Sequence, residues 1–188
     1  MKCEFSAYRT NMVWGKGKLD SGIVLVGEAP GRVEDEEGVP FVGECGENLD
    51  NAMRRAKLRY KGKNSNCFIT NALGCRPCND FNRVKNRRPT SKELENCRPR
   101  LQSILRAARP RLVILLGNSA TESVFALTHI PANLKIGGVS FVKSLHPAAI
   151  MYNRGREDEW EAFWKAMRKV IVNFKHKKTT IRWKLPLG

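Results

Sequence analysis

Residues 23–46 read IVLVGEAPGRVEDEEGVPFVGECG. Ile23 to Val26 is a short apolar run rich in β-branched residues, which predicts a buried strand, so the turn Gly27-Glu28-Ala29-Pro30-Gly31 falls where that strand ends. In open α/β sheets, ligands bind at that end. Gly27 and Gly31 allow other groups to approach the backbone closely, Pro30 stiffens the turn, and Glu28 and Glu34 set carboxylates beside it. Further on, Pro40-Phe41-Val42-Gly43 places an aromatic ring in a loop bounded by glycine and proline, while Asp35, Glu36 and Glu37 read as solvated loop charges. By spacing alone the stretch is equally well a strand, a turn and an acidic loop, for it is neither a Walker loop nor a GxGxxG pattern.

Outward from this stretch the chain alternates. Strands are expected from Cys67 to Thr70, Arg111 to Leu116 and Val139 to Val142, and helices from Glu47 to Leu58, Lys92 to Ala108, Ser119 to Leu127 and Glu157 to Phe174. Thr90 and Glu93 supply a cap and an early acid for the second of those helices. Trp160, Phe163, Trp164, Met167 and Ile171 form a broad apolar face on the last, so these rings are assigned to the core. The alternation implies an α/β fold, a three-layer sandwich whose central parallel sheet of about four strands is flanked by helices. Residues 1–174 are read as one domain and residues 175–188 as a basic tail.

Composition narrows the class. The chain has 188 residues, enough for one domain with a sizeable core. Its 34 Lys and Arg against 18 Asp and Glu give a net charge of +16, which points to a polyanionic partner, with nucleic acid first. A membrane is not expected, because neither a long apolar span nor a signal peptide is present, and an intracellular, cytoplasmic protein follows. With no secretory signal, the six cysteines (Cys3, Cys45, Cys67, Cys75, Cys78 and Cys97) are read as metal ligands or reduced core thiols, not as a disulfide framework.

Four blocks in order then resemble the family 4, iron-sulfur, uracil-DNA glycosylases: GEAPG with an acidic run and GVPFVGECGENLD; Asn71; the segment from Cys75 to Cys97; and His146-Pro147-Ala148. The resemblance covers nearly the whole chain and weakens after about Asn173. It implies the uracil-DNA glycosylase fold and an enzyme that extrudes uracil from DNA and hydrolyses its N-glycosidic bond, leaving an abasic site for base excision repair. Phe41 matches the family's stacking ring and Asn71 the amide that reads the edge of uracil, a task suited to a group offering both donor and acceptor. His146 matches the histidine that donates towards uracil O2 as charge develops there. Glu28, in the turn facing the pocket, is assigned to positioning water or stabilising the sugar cation; Glu34 matches a second acidic position and is assigned to shaping the pocket, with Gly27 and Ala29 around the base. No lysine lies at the motif positions, so a monofunctional enzyme is expected.

For DNA contacts the expectation is Arg76, Asn86 and Arg87 in the basic loop, Ile150 and Met151 (with Tyr152 beside them) as an apolar wedge or else the start of a packed helix, and Arg154, with Asn153, on phosphates. The partner is uracil-containing DNA, single- or double-stranded; the protein is expected to be a monomer, and any repair or replication partner is unknown. Cys75 and Cys97 match two ligands of the family's [4Fe-4S] cluster and Cys3 a third, while the family's first cysteine would fall before Met1. Cys78 replaces a family proline and is assigned as the substitute fourth ligand. The competing readings are a three-cysteine cluster, a zinc site on the same thiolates, and no metal. Two functional alternatives also stand: a DNA-binding or replication-accessory protein that keeps the fold without turnover, and a glycosylase for another deaminated or modified base. A covalently crosslinking member is discounted, since that group resembles KRRIH where this chain has Val142-Lys143-Ser144-Leu145-His146.

Overall fold

The structure, a computed structural model, describes residues 9–78, 85–127, 129–131, 134–152 and 155–175. Cys3, Arg83, Asn153, Arg154, His176 and the rest of the basic tail lie outside the described residues.

Six strands form one sheet: β1 (Lys16–Gly17), β2 (Ile23–Gly27), β3 (Phe68–Asn71), β4 (Leu112–Leu116), β5 (Leu134–Ile136) and β6 (Val139–Ser144). Their order is β1-β3-β2-β4-β6-β5. The four inner strands run parallel, as the alternation implies, and β1 and β5 are antiparallel edges. Every residue of β2 and β4 is buried, because both faces of the sheet are covered.

Helices α2 (Glu44–Arg55) and α6 (Glu157–Lys175) cover one face, where Leu49, Met53, Trp160, Trp164, Met167 and Ile171 pack on Ile23, Leu25, Ile114 and Val142. Helices α3 (Ser91–Ala108) and α4 (Asn118–Phe125) cover the other, with Leu101, Leu105 and Val124 against Val24, Val26, Val113 and Phe141. Successive residues of β2 therefore feed opposite cores, as pleating demands. Thr90 caps α3 as expected: its hydroxyl accepts from the Glu93 N–H and the Glu93 carboxylate accepts from the Thr90 N–H. The aromatic face of α6 is core, also as expected. Among the described residues, no helix is long and apolar enough to cross a membrane.

One short helix was not expected: α1 (Arg32–Glu37) occupies the acidic stretch read as a solvated loop. A second, α5 (Pro147–Tyr152), follows His146 and is the packed helix that stood as one of the two readings for Ile150 and Met151. Asp35 is fully buried, not solvated: its two carboxylate oxygens accept the Thr10 N–H at 3.0 and 3.1 Å, and Asn11 bonds the carbonyls of Asp35 and Glu36. This clamp ties the lead-in segment to the strand-end loop.

Candidate active site

The C-terminal edge of the parallel sheet gathers the turns after β2, β3, β4 and β6. Gly27 and Asn71 are register partners at the ends of β2 and β3, and the ladder continues past them as Ala72 and Leu73 donate to the carbonyls of Gly27 and Glu28. The Phe41 ring closes over this corner. A side chain at Gly27 would collide with the ring of Phe41 and with Oδ1 of Asn71, so only glycine lets the three meet. Asn71 is 2% exposed, and its Oδ1 has no hydrogen-bond partner among the described residues. A buried amide oxygen left unpaired is costly to the fold and is the kind of group a ligand satisfies.

Glu28 and His146 face each other across the neighbouring turns. Oε2 of Glu28 accepts from the hydroxyl of Ser119, in the first turn of α4, at 2.7 Å. Nδ1 of His146 accepts from the N–H of Ala148 at 3.2 Å, which leaves the ring proton on Nε2. Burial holds the imidazole below its ordinary value, and the Glu28 charge opposes that shift. The result is a neutral imidazole carrying an Nε2–H donor. Gly117, at the end of β4, is in the left-handed region with φ +88, and its N–H donates to Ser144 O, fixing the spacing between the β4 and β6 turns.

The remaining residues of the block around Gly27 to Gly46 act as scaffolding by their contacts. Glu34 uses Oε2 on the Gly31 N–H at 3.1 Å and Oε1 on the Gly43 N–H at 3.0 Å, clipping the two ends of the loop together. Ala29 packs against Ala72, Leu73 and Leu94. Burial raises the thiols of Cys45 and Cys67, Cys67 to about 12; Cys67 is buried, as the core-thiol reading expects, whereas Cys45 is only partly buried.

The assigned DNA-contact residues divide. Ile150 packs against the α2–α6 core, and Met151 accepts from the Cys45 thiol at 3.2 Å, so the packed-helix reading describes both better than the wedge. Tyr152 is the side chain left standing out, 80% exposed. Arg76 is buried at 4% and donates to Asn86 Oδ1 at 2.6 Å, while Arg87 is committed to Glu93 through two 2.7 Å bonds. That pairing raises the Arg87 guanidinium and, against the opposing effect of burial, lowers the Glu93 carboxyl. Asn86 is exposed. Beside α5 an open groove of about 580 Å³ runs between α2 and α6, lined by Asn51, Arg55, Ile150, Met151, Trp160 and Glu161 among others.

The expected metal site is overturned. Among the described residues, no group of three or more His, Cys, Asp or Glu side chains is placed to hold a metal ion. Cys75 and Cys97 do line one small cavity, but Arg9, Arg76 and Arg100 share its wall, and Cys78 is buried outside it. The Cys75 sulfur accepts from Arg9 at 3.2 Å and the Cys97 sulfur from the Gly74 N–H at 3.4 Å. Cys3 lies outside the described residues. Among the described residues, Cys75, Cys78 and Cys97 therefore do not form a ligand set for a [4Fe-4S] cluster or a zinc ion.

Sequence reading missed Arg100, Tyr60 and Ser119. Arg100 is 2% exposed and donates to Asn71 O, Val13 O, Trp14 O and Thr70 Oγ1, bracing the strand that carries Asn71. Burial lowers its guanidinium below the ordinary value, with Cys97 and Cys75 opposing. The available signal was an arginine on the apolar stripe of α3, between Leu94, Leu101 and Ile104. Tyr60 and Ser119 meet their partners only through the fold.

The fold agrees with the match of residues 14–168 to a family model described as the uracil DNA glycosylase superfamily. A type-4 uracil-DNA glycosylase of Archaeoglobus fulgidus is 35% identical over 177 residues, covering 87% of this chain and 84% of that protein. That of Sulfurisphaera tokodaii is 32% identical over 184 residues, covering 91% and 80%. That of Pyrobaculum aerophilum is 40% identical over 126 residues, which is 67% of this chain and 59% of the relative's length. The chain belongs to the uracil-DNA glycosylase superfamily, in its type-4 family.

Proposed function

We propose that this protein is a monofunctional uracil-DNA glycosylase, which takes uracil out of the DNA stack and hydrolyses the bond between its N1 and the deoxyribose C1′. The observation that carries the reading is the unpaired, buried Oδ1 of Asn71 beside the Phe41 ring, at the C-terminal sheet edge of a chain whose relatives bear that activity in their names. Uracil N3–H would donate to Oδ1 of Asn71, and the amide nitrogen would donate to O4. The Phe41 ring replaces the stacking lost when the base leaves the helix.

As the N1–C1′ bond breaks, its electron pair stays on uracil, and the negative charge spreads to O2. The Nε2–H of His146 is the donor for that oxygen, and being neutral it needs no proton from solvent to act. Glu28, held by Ser119, stabilises positive charge growing on the sugar and orients the water whose oxygen bonds to C1′. That water gives up one proton, and the uracil anion takes up one, so the products are the abasic sugar hydroxyl and neutral uracil. The net charge of +16 supplies attraction for the DNA backbone whichever base is bound. The test is chromatographic detection of free uracil released from DNA bearing a single uracil, with the strand intact until alkali is added. DNA binding with no released base would instead assign the protein to the turnover-free alternative.

A further inference from the structure

Phe41 stands in a backbone state that its side chain disfavours. Its φ is +56, in the left-handed region, which non-glycine residues enter uncommonly and hold only when neighbours enforce it. Two neighbours do so here. The hydroxyl of Tyr60, itself 1% exposed, donates to the Phe41 carbonyl at 3.1 Å from nineteen residues along the chain. From the other side, Gly46 lets helix α2 lie directly on the same carbonyl; a Cβ at Gly46 would collide with the carbonyl oxygen and carbon and press on Cα.

The Tyr60 phenol is suited to a permanent hold. Burial, followed by the Asp50 carboxylate, raises it well above its ordinary value, so it keeps its proton and donates at any pH the protein meets. Lys61 lies over its ring at 5.2 Å and reaches Asp50 at 3.8 Å.

We infer that Tyr60 is a positioning residue that acts through Phe41: its hydroxyl fixes the Phe41 carbonyl and thereby holds the ring against Gly27 and Asn71 as the flat face of the base pocket. This rests on the reading of Phe41 as the face on which uracil stacks. Tyr60 touches neither base nor sugar. Its removal should loosen the grip on a base while leaving the grip on DNA that lacks one.

The experiment compares two affinities in the full chain: inhibition by free uracil, and binding of a duplex with a tetrahydrofuran abasic site. Tyr60→Phe is expected to weaken uracil inhibition roughly three- to tenfold, since it leaves a buried carbonyl unpaired, with abasic-duplex affinity unchanged. Phe41→Ala should weaken uracil inhibition, and adding Tyr60→Phe to it should cost nothing more, because residues acting as one unit are not additive. Gly46→Ala, which presses on the same carbonyl, should repeat the selective loss even if Tyr60→Phe is poorly folded. Normal uracil inhibition in Tyr60→Phe while Phe41→Ala is impaired overturns the inference and spares the pocket. Equal loss of uracil and abasic-DNA affinity, or full additivity in the double variant, also overturns it by reducing Tyr60 to a structural part. Undiminished uracil inhibition in Phe41→Ala removes the pocket reading itself, and the inference with it.

Discussion

The backbone N–H of Ala148 donates to Nδ1 of His146 at 3.2 Å, so the imidazole is fixed as the tautomer with its proton on Nε2. Burial holds this ring below its ordinary value of 6.5, against the pull of Glu28. In the unfolded chain the same histidine titrates near that ordinary value, so between the two the unfolded state binds more protons and stability rises with pH. The contribution is complete above about pH 6.5 and is lost as pH falls through the folded-state value. Denaturant titrations from about pH 5 to pH 7 should show this slope in the wild type and a shallower one in His146→Gln, which cannot titrate. An unchanged slope in the variant would mean that the ring is not held neutral.

Gly27→Ala should disable the pocket more than the fold. The added methyl meets the Phe41 ring and Asn71 Oδ1, pushing apart the two groups proposed to hold the base. Misplacement on this scale predicts a fall in kcat/KM of about a hundredfold, with a stability loss of about 1–3 kcal/mol for overpacking. Steady-state kinetics beside thermal melting check it, and near-normal kcat/KM would show that the corner tolerates filling.

Glu34→Ala removes the acceptor for two N–H groups at once. Gly31 and Gly43 then have no carboxylate between them, and the loop carrying Phe41 is free to open. A loss of about 1–3 kcal/mol in stability and faster proteolysis between α1 and α2 are expected. If melting and proteolysis both match the wild type, the clip does not hold the loop.

Arg100→Met keeps the bulk of the stem but removes the donor of four hydrogen bonds, among them the one to the carbonyl of Asn71. Stability should fall by about 3 kcal/mol or more, as expected when several buried hydrogen bonds to a charged group are removed together. Chemical denaturation reads this directly. A loss below about 1 kcal/mol, within the range of an ordinary substitution, would assign the bracing to the backbone alone.

What the sequence discloses and what it conceals follow from the reach of each interaction. β2 and β4 were legible because a strand buried on both faces must be a continuous apolar run, and Ile23 to Val26 and Leu112 to Leu116 are such runs. The aromatic face of α6 and the Thr90 cap were legible for the same reason, their cause being local. β1 and β5, at two and three residues, are too short to show a period. α1 was hidden because Asp35 is buried by Thr10, twenty-five residues away, and no local pattern distinguishes that carboxylate from its solvated neighbours. Motif order brought Gly27, Glu28, Phe41, Asn71 and His146 to one sheet edge. It did not reveal that Glu34 is spent on backbone N–H groups, nor that Arg76 is buried. The cysteine matches failed as a ligand set because identity in a motif carries no position: Cys78 lies outside the cavity that Cys75 and Cys97 share with arginines.

The central claim is tested most directly by an end-labelled oligonucleotide carrying one uracil, incubated with the wild type, Asn71→Ala and His146→Ala, and resolved before and after alkali. The account predicts an intact strand before alkali, cleavage at the uracil position after it in the wild type, and strongly reduced cleavage in both variants while each still binds the DNA. Wild-type protein that binds tightly yet yields no alkali-labile site, or variants that cleave as well as the wild type, would contradict it.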